Sequence, residues 1–407
     1  MIQLTDNLFD IRAGNIRIDN PVVLSAMAGI TDADYALSHG KDAGLVILGA
    51  YNLDEDAVSA AKEVIARGRP EFVFEDPLGK ILEEIEKYRA AAGDDASQIA
   101  ISCRSATIGP LVEAAKIFEE KKVIMELDLH CRQPEFTEKG MGQGLLEKPE
   151  TMIRMIEDIK DTGVVLSVKI RADVVPNEIF VQILDALGAD IIHIDAMSEG
   201  AGANPGVISA CRDATTRLII ANNSVRSFDD AKEFFSRGAD MVSVARGSSD
   251  ENLIPSLSEK TEKYQKETGW YNSPSHICKG GDRRGLAFCC PPVKHCALRK
   301  KLEEVGFEPQ EFINLKLSLV NGTPLEGGDF TCFGSMAWCC KASKPCYTRD
   351  MAMAEAGITP ADYMRYKKQM ADAILRTIEM KKLEAALAEA EKENADDPEN
   401  PGNDGRI

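Results

Sequence analysis

Residues 218–247 read LIIANNSVRSFDDAKEFFSRGADMVSVARG, in which two short aliphatic runs flank an amphipathic segment. Leu218–Asn223 and Met241–Gly247 have the apolar content of strands that are covered on both faces. Between them, Asp229–Arg237 places apolar residues at helical spacing, with charged residues on its other face. The stretch therefore predicts a strand, a helix and a second, parallel strand.

The same alternation fills the part of the chain that precedes this unit. Further strand-like runs are found at Pro21–Met27, Leu45–Ala50, Ile99–Arg104, Val123–Leu129, Val164–Ile170 and Ile191–Ala196. Amphipathic segments such as Thr151–Asp161 lie between them. Eight strand–helix alternations over about 250 residues predict an α/β fold, a (β/α)₈ TIM barrel at residues 1–255. An open doubly wound sheet would show the same alternation.

Composition limits the classes of protein to consider. The chain has 407 residues, of which 44% are hydrophobic, so it can form roughly two globular domains. No run approaches the roughly 20 apolar residues that a membrane span needs, and the first residues lack the pattern of a signal peptide. We therefore expect a cytoplasmic protein without a membrane partner. The formal net charge of -18 disfavours nucleic acid as a partner.

Eight of the 11 cysteines lie in two similar quartets within residues 265–390. The quartets are Cys278, Cys289, Cys290 and Cys296, then Cys332, Cys339, Cys340 and Cys346. Four clustered thiolates in a reducing compartment are typical ligands of metal, and we predict two [4Fe–4S] clusters, with structural Zn²⁺ as the alternative. His276 and His295 could substitute for a thiolate in a mixed site.

The end of the chain shows two further patterns. Thr359–Asn394 is predicted to be a long helix, with Thr359 as its N-cap and Pro360 at the first helical position. The segment 395–407 is acidic and has few apolar residues, so we expect it to be disordered.

Several strand ends resemble the tRNA-dihydrouridine synthase family. The sequence Ala26-Met27-Ala28-Gly29-Ile30-Thr31-Asp32 resembles its Pro-Met-Ala-Gly-x-Thr-Asp signature, whose backbone lines the flavin in that family. The segment ELDLHCRQPEF aligns with its Asn-x-Gly-Cys-Pro motif and places Cys131 on the catalytic cysteine. The resemblance implies that Cys131 donates a proton to the double bond of a substrate, a role that a thiol of tunable pKa can perform.

The resemblance also implies a bound FMN. Lys169 in VKIR resembles the family's flavin-contacting lysine, and the loops after the seventh and eighth strands resemble its phosphate loops. The flavin-binding positions implied in this way are Ala26, Met27, Ala28, Gly29, Ser102, Asp128, Lys169, His193, Asp195, Asn222, Asn223, Ala245, Arg246 and Gly247. Four of these positions differ from the residue that is typical of the family. Ser102 replaces a glutamine, Asp128 an asparagine, Asp195 a histidine and Asn223 a glycine, which indicates that the substrate is not an ordinary uridine.

The cysteine-rich region resembles the domain of methanogenesis marker protein 9, which has paired aromatic-Cys-Cys motifs ending in Lys-Pro-Cys. Phe288-Cys-Cys and Trp338-Cys-Cys carry this resemblance, and the second quartet ends in Lys-Pro-Cys as well. Some members of that family carry a dihydrouridine-synthase-like barrel ahead of the domain. The resemblance implies a role in methanogenesis but names no reaction.

These observations predict a methanogenesis-associated Fe–S flavoprotein that reduces an unsaturated small-molecule or protein substrate. Electrons would pass through the clusters to FMN, and a redox or methanogenesis enzyme would be the partner. One alternative is a non-enzymatic metal-cluster scaffold or maturation factor for a methanogenesis enzyme. Another is a tRNA-dihydrouridine synthase.

Overall fold

The computed structural model describes residues 8–272, apart from 10, 94–96, 199–201 and 269, then isolated positions between 306 and 354, and residues 357–395. The chain divides into two compact units. One is Thr5–Tyr271, and the other is Asn272–Ile407 together with Met1–Leu4. The eight clustered cysteines, both candidate histidine ligands and the predicted acidic tail from residue 396 lie outside the described residues.

The first unit is a closed barrel of eight parallel strands. They are β3 (Val22–Leu24), β4 (Leu45–Asn52), β5 (Gln98–Arg104), β6 (Ile124–Asp128), β7 (Leu166–Arg171), β8 (Ile191–Asp195), β11 (Leu218–Asn222) and β12 (Met241–Val244). Each strand pairs with the next, and β12 returns to pair with β3 through Val242 and Val22. The predicted TIM barrel is therefore confirmed, and the open sheet is excluded.

Helices on the outside of the barrel cover the strands. They are α1 (Ala33–His39), α2 (Glu55–Ala66), α3 (Pro77–Ala92), α4 (Ile108–Lys121), α6 (Pro149–Lys160), α7 (Asn177–Ala186), α8 (Pro205–Ala214), α9 (Phe228–Ser236) and α10 (Leu253–Thr268), while the short α5 (Pro134–Thr137) lies in the loop after β6. Helix α4 shows why they form. Leu111, Ala114, Ala115 and Phe118 recur at helical spacing and are buried, and full burial of Leu or Phe contributes about 1.5–3 kcal/mol each.

A short hairpin closes the amino-terminal end of the barrel. Its strands are β1 (Ile11–Ala13) and β2 (Ile16–Ile18), and its turn contains Gly14 at φ +56°. A Cβ at Gly14 would lie 2.9 Å from a methyl group of Val165, directly before β7. The turn thus needs a residue without a side chain, both for its backbone conformation and for its contact with the barrel.

The barrel unit continues past β12. Ser258 in α10 donates to the carbonyl of Asp42, and Ile254 and Leu257 are buried in the core of the unit. The predicted end of the barrel domain, residue 255, falls inside this helix. A second small hairpin, β9 (Met197–Ser198) and β10 (Gly202–Ala203), follows β8.

The second unit contains α11 (Pro360–Ala395). Thr359 caps it as predicted, because its hydroxyl accepts a hydrogen bond from the amide of Asp362 at 3.1 Å. The proline at the first helical position removes only an amide that would have no acceptor within the helix. Among the described residues, no helix is both long and apolar enough to cross a membrane.

Candidate active site

Polar side chains collect where the barrel strands end. Arg104, Asp128, Asp195 and Asn222 are the last residues of their strands, and Lys169 lies near the end of β7. All five are buried, although charged and amide groups are rarely buried without partners. Because the strands are parallel, these ends meet at one face of the barrel, where TIM-barrel enzymes hold their active sites.

The loop after β6 fixes the backbone around Cys131. One carboxylate oxygen of Asp128 accepts from the amides of His130 and Cys131 at 2.9 and 3.0 Å. The carbonyl of Cys131 accepts from the amide of Gln143 at 2.8 Å. Gly142 lies at φ +55°, and a Cβ there would come within 2.2 Å of that carbonyl. Hydrogen bonds on both sides therefore hold the backbone of the partly exposed Cys131 in place.

A buried arginine stands beside the thiol. Nη1 of Arg104 is 3.4 Å from Sγ of Cys131, and Nη2 is 2.5 Å from a carboxylate oxygen of Glu71. The guanidinium also stacks on the ring of Phe136, 4.0 Å from its centroid. Burial raises the pKa of Cys131 to about 11, although the Arg104 charge lowers it in part. The thiol is therefore protonated at neutral pH and can donate a proton.

Asp195 organises a second group of residues at the same face. Its carboxylate accepts from Asn223 at 2.7 Å, lies 2.8 Å from Nε2 of His130 and is 3.6 Å from Nη1 of Arg171. Burial would raise the pKa of Asp195, but His130, Asn223 and Arg171 together hold it well below its usual range. An ionised carboxylate thus orients the imidazole that precedes Cys131.

One layer deeper, His193 bridges β6 and β12 inside the barrel. Its Nδ1 is 2.8 Å from Glu126, and its Nε2 is 2.8 Å from the hydroxyl of Ser243, which also accepts from the amide of Asn222. Burial and then the Lys169 charge lower the pKa of His193. Burial would raise the pKa of Glu126, but His193 and Lys169 lower it to about 2. A neutral imidazole therefore donates through Nδ1 to a carboxylate and accepts from Ser243.

Lys169 connects this interior layer to the loop after β3. Its ammonium group donates to the hydroxyl of Ser25 at 2.9 Å, directly before Ala26. An ammonium has three N–H donors, so up to two remain for other acceptors. The loop that follows is held by the hydroxyl of Thr31, which accepts from the amide of Met27 at 2.9 Å. Gly29, at φ +70°, packs directly against the backbone of Pro70 and Glu71.

The loops after β11 and β12 also reach this face. Asn223 and Ser224 have φ values of +107° and +58°, so two residues with side chains adopt a conformation that favours glycine. Ala245 precedes a single 3-10 turn, Arg246–Ser249. The hydroxyl of Ser248 in this turn donates its hydrogen to the carbonyl of Ala245. Its oxygen therefore acts as the acceptor for the hydroxyl of Tyr35, which lies 2.9 Å away.

The structure brings the candidate residues of the barrel to one end of the fold but at different depths. Ser102 and His193 are buried in the interior layer, while Cys131 and Asp195 lie in the layer above them. Sequence reasoning missed Glu71, Arg104, Glu126 and His130. Arg104 carried a signal, since it is a charged residue at the end of an aliphatic strand. Glu71 carried none, because it lies in a loop between two helices, 33 residues before its partner.

No group of three or more His, Cys, Asp or Glu side chains is arranged to hold a metal ion within the described parts of the chain. The predicted metal ligands lie outside those parts.

Comparison with known proteins gives the class of this barrel. The dihydrouridine synthase (Dus) family model matches residues 82–279. The chain is 31% identical over 237 residues to an uncharacterized protein of Methanocaldococcus jannaschii, covering 56% of this chain and 90% of that protein. A second uncharacterized protein of the same organism is 53% identical over 108 residues, covering 26% and 70%.

A more distant relative agrees with this class, and a solved structure shares the fold. The probable tRNA-dihydrouridine synthase of Rickettsia conorii is 22% identical over 311 residues, covering 65% of this chain and 87% of that protein. A crystal structure of DHODH from Eimeria tenella in complex with ferulenol superposes with a TM-score of 0.52 at 13% identity, over 68% and 88% of the two chains, and supports the fold alone. The barrel is that of an FMN-dependent oxidoreductase. The chain belongs to the dihydrouridine synthase family.

Proposed function

We propose that this protein is an FMN-dependent reductase of a carbon–carbon double bond, with Cys131 as the proton donor. The observation that carries the proposal is the position of Cys131, a partly exposed residue that lies beside Arg104 at the active-site face of a barrel of this family. A general acid must hold its proton at the working pH and release it in the transition state. Because its pKa is raised to about 11, Cys131 meets the first requirement.

The donors at this face have the chemistry that a flavin mononucleotide requires. The spare N–H groups of Lys169 suit the acceptor edge of a flavin ring, and a cation there favours the anionic form of reduced flavin. Backbone amides at Asn223, Arg246 and Gly247 suit the phosphate. Asn223 begins a left-handed turn of the kind that forms anion sites, and Arg246 and Gly247 are the first residues of a 3-10 turn, whose first amides have no acceptor within the turn. The bound flavin would supply hydride, and the side chains described above would orient the substrate and supply the proton.

Within the same proposal, the two cysteine quartets hold [4Fe–4S] clusters that deliver electrons to the flavin. The support is their spacing, with four thiolates in each unit of similar form. A flavin partner gives such clusters an electron-transfer role that structural Zn²⁺ would not have. The resemblance of this region to methanogenesis marker protein 9 supports a partner that is a redox or methanogenesis enzyme.

The first test is an anaerobic absorption spectrum of the purified chain, with flavin, iron, zinc and sulfide quantified on one sample. Flavin with iron and sulfide is the expected result. Metal without flavin would favour the scaffold or maturation function instead. Zinc alone would exclude an electron-transfer role for the quartets. Dihydrouridine analysis of tRNA from a deletion strain tests the remaining alternative. Normal dihydrouridine content there would exclude a tRNA-dihydrouridine synthase.

A further inference from the structure

Contacts on several sides hold the buried side chain of Arg104 beside Cys131. Its side chain is 1% exposed. One nitrogen reaches the sulfur at 3.4 Å, a second reaches Glu71 at 2.5 Å, and Nε lies 3.7 Å from Asp128. Phe136 covers its face at 4.0 Å. The guanidinium therefore cannot turn away from the sulfur without breaking a buried ion pair.

The surroundings make this contact electrostatically strong. Cys131 packs against an apolar cluster of Ala57, Ala60, Ala61, Val64, Phe136 and Met141. Among the described residues, the charged groups with the largest effects on the sulfur are Arg104, Asp128 and Glu71. Water is largely excluded on that side, so the charges are screened less than at a surface. Arg104 supplies the favourable charge for a thiolate, and the two carboxylates oppose it.

We propose that Arg104 is a positioning residue for proton transfer, which stabilises the Cys131 thiolate that remains after the thiol has protonated the substrate. In that step the S–H bond breaks and a C–H bond forms, while the electron pair of the S–H bond stays on sulfur. A bound reduced flavin would supply the hydride for the other substrate carbon, and its oxidation would balance the reduction of the double bond. The identity of the proton acceptor rests on the proposed function, but the pairing of Arg104 with the thiolate does not.

Glu71 has the opposite effect in the same arrangement. Its carboxylate anchors Arg104 and partly cancels its charge, so it restrains how far the arginine can favour the thiolate. Glu71 reaches the site from the loop between α2 and α3, where the adjacent backbone packs against Gly29. The arrangement thus predicts that removing Arg104 and neutralising Glu71 shift the acidity of Cys131 in opposite directions.

This prediction can be tested on the thiol without substrate or flavin. The full-length protein is alkylated with iodoacetamide under anaerobic conditions across a pH series. Labelling is then quantified on the tryptic peptide Val123–Arg132, which contains a single cysteine. An opposite charge nearby shifts a pKa by about 1–3 units, and a more basic thiolate is also more nucleophilic. Arg104→Met should therefore slow labelling near pH 8 by about 3- to 40-fold.

Three further variants control the experiment. Glu71→Gln should accelerate labelling by about threefold or more, because the arginine charge is then less neutralised. Arg104→Lys keeps the charge and should lie between wild type and Arg104→Met. Arg154→Met removes an exposed arginine that pairs with Asp158 on α6 and should leave the rate unchanged.

The outcomes separate electrostatics from folding. A merely structural role would expose the thiol in both the arginine and the glutamate variant and speed labelling in both, which would overturn the proposal. Should Arg104→Met fail to fold, Glu71→Gln and Arg104→Lys still test the proposal. Labelling that is not faster in Glu71→Gln and not slower in Arg104→Lys would contradict the pairing of Arg104 with the thiolate. A wild-type protein that lacks flavin but shows the opposed shifts would refute the proposed function and not this electrostatic pairing.

Discussion

Replacing Lys169 by methionine should weaken FMN binding by about 10- to 150-fold. Its ammonium uses one donor on Ser25 at 2.9 Å and keeps up to two for the ring of the flavin. A hydrogen bond to a charged group contributes about 1.5–3 kcal/mol, which converts to that range of affinity if one such bond is lost. Methionine lacks the terminal ammonium but has a similar volume, so the variant removes the charge with little change in packing.

The assay is fluorescence titration of flavin-free protein with FMN, with the flavin content of the purified protein as a second readout. Lys87→Met is the matched control, since Lys87 forms an exposed pair with Asp34 at the surface. Lys169→Arg should retain part of the affinity, because it keeps the charge but presents a larger, planar head group.

Loss of Lys169 also removes a cation that lowers the pKa of Glu126, so a thermal melt of each variant must accompany the titration. A folded Lys169→Met variant that binds FMN as tightly as wild type would refute the argument. It would mean that the ammonium points its spare donors at protein groups and not at the flavin.

Three further outcomes are expected. Glu126→Gln should weaken the loss of stability at acid pH. A carboxyl group whose pKa falls from 4.5 to about 2 on folding contributes about 3 kcal/mol above pH 4.5, and this contribution is lost as the pH falls towards 2. Urea unfolding of wild type and variant at several pH values measures the difference. Arg212→Met removes the cation beside the buried carboxylate of Asp240 and should cost about 3–5 kcal/mol in the same assay, whereas an unchanged midpoint would contradict the pairing. Gly142→Ala should lower the melting temperature more than Gly68→Ala, because both have positive φ but only the first Cβ would meet a backbone carbonyl, and equal shifts would count against the clash.

The fold could be predicted because local patterns and one global rule agree. Aliphatic runs such as Leu218–Asn223 alternate with amphipathic segments, and parallel strands in this number usually close into a barrel. Closure itself depends on the contact between β3 and β12, which no local pattern contains. The first strand, Val22–Leu24, is also shorter than Pro21–Met27, and Met27 lies in a loop in which its amide donates to the hydroxyl of Thr31.

The site was predictable where it depends on strand ends and unpredictable where it depends on depth and long-range contacts. Cys131, Lys169 and Asp195 follow from the strands that carry them. The alternation of a strand places His193 on the same side as Asp195, but it does not say that the imidazole lies a layer deeper with both nitrogens bonded to protein. The contact of Arg104 with Glu71 joins segments whose spacing carries no periodic signal.

The pairing of β3 with β12 has a consequence for synthesis of the chain on the ribosome. One edge of β3 stays unpaired until β12 has been translated at residue 244. The nascent sheet therefore exposes two edges for most of its synthesis, that of β3 and that of its most recently made strand. Every strand of the barrel has then been made, whereas the first clustered cysteine comes only at residue 278. Domains generally fold in the order in which they are translated, so the barrel can close before its cysteine-rich neighbour is complete.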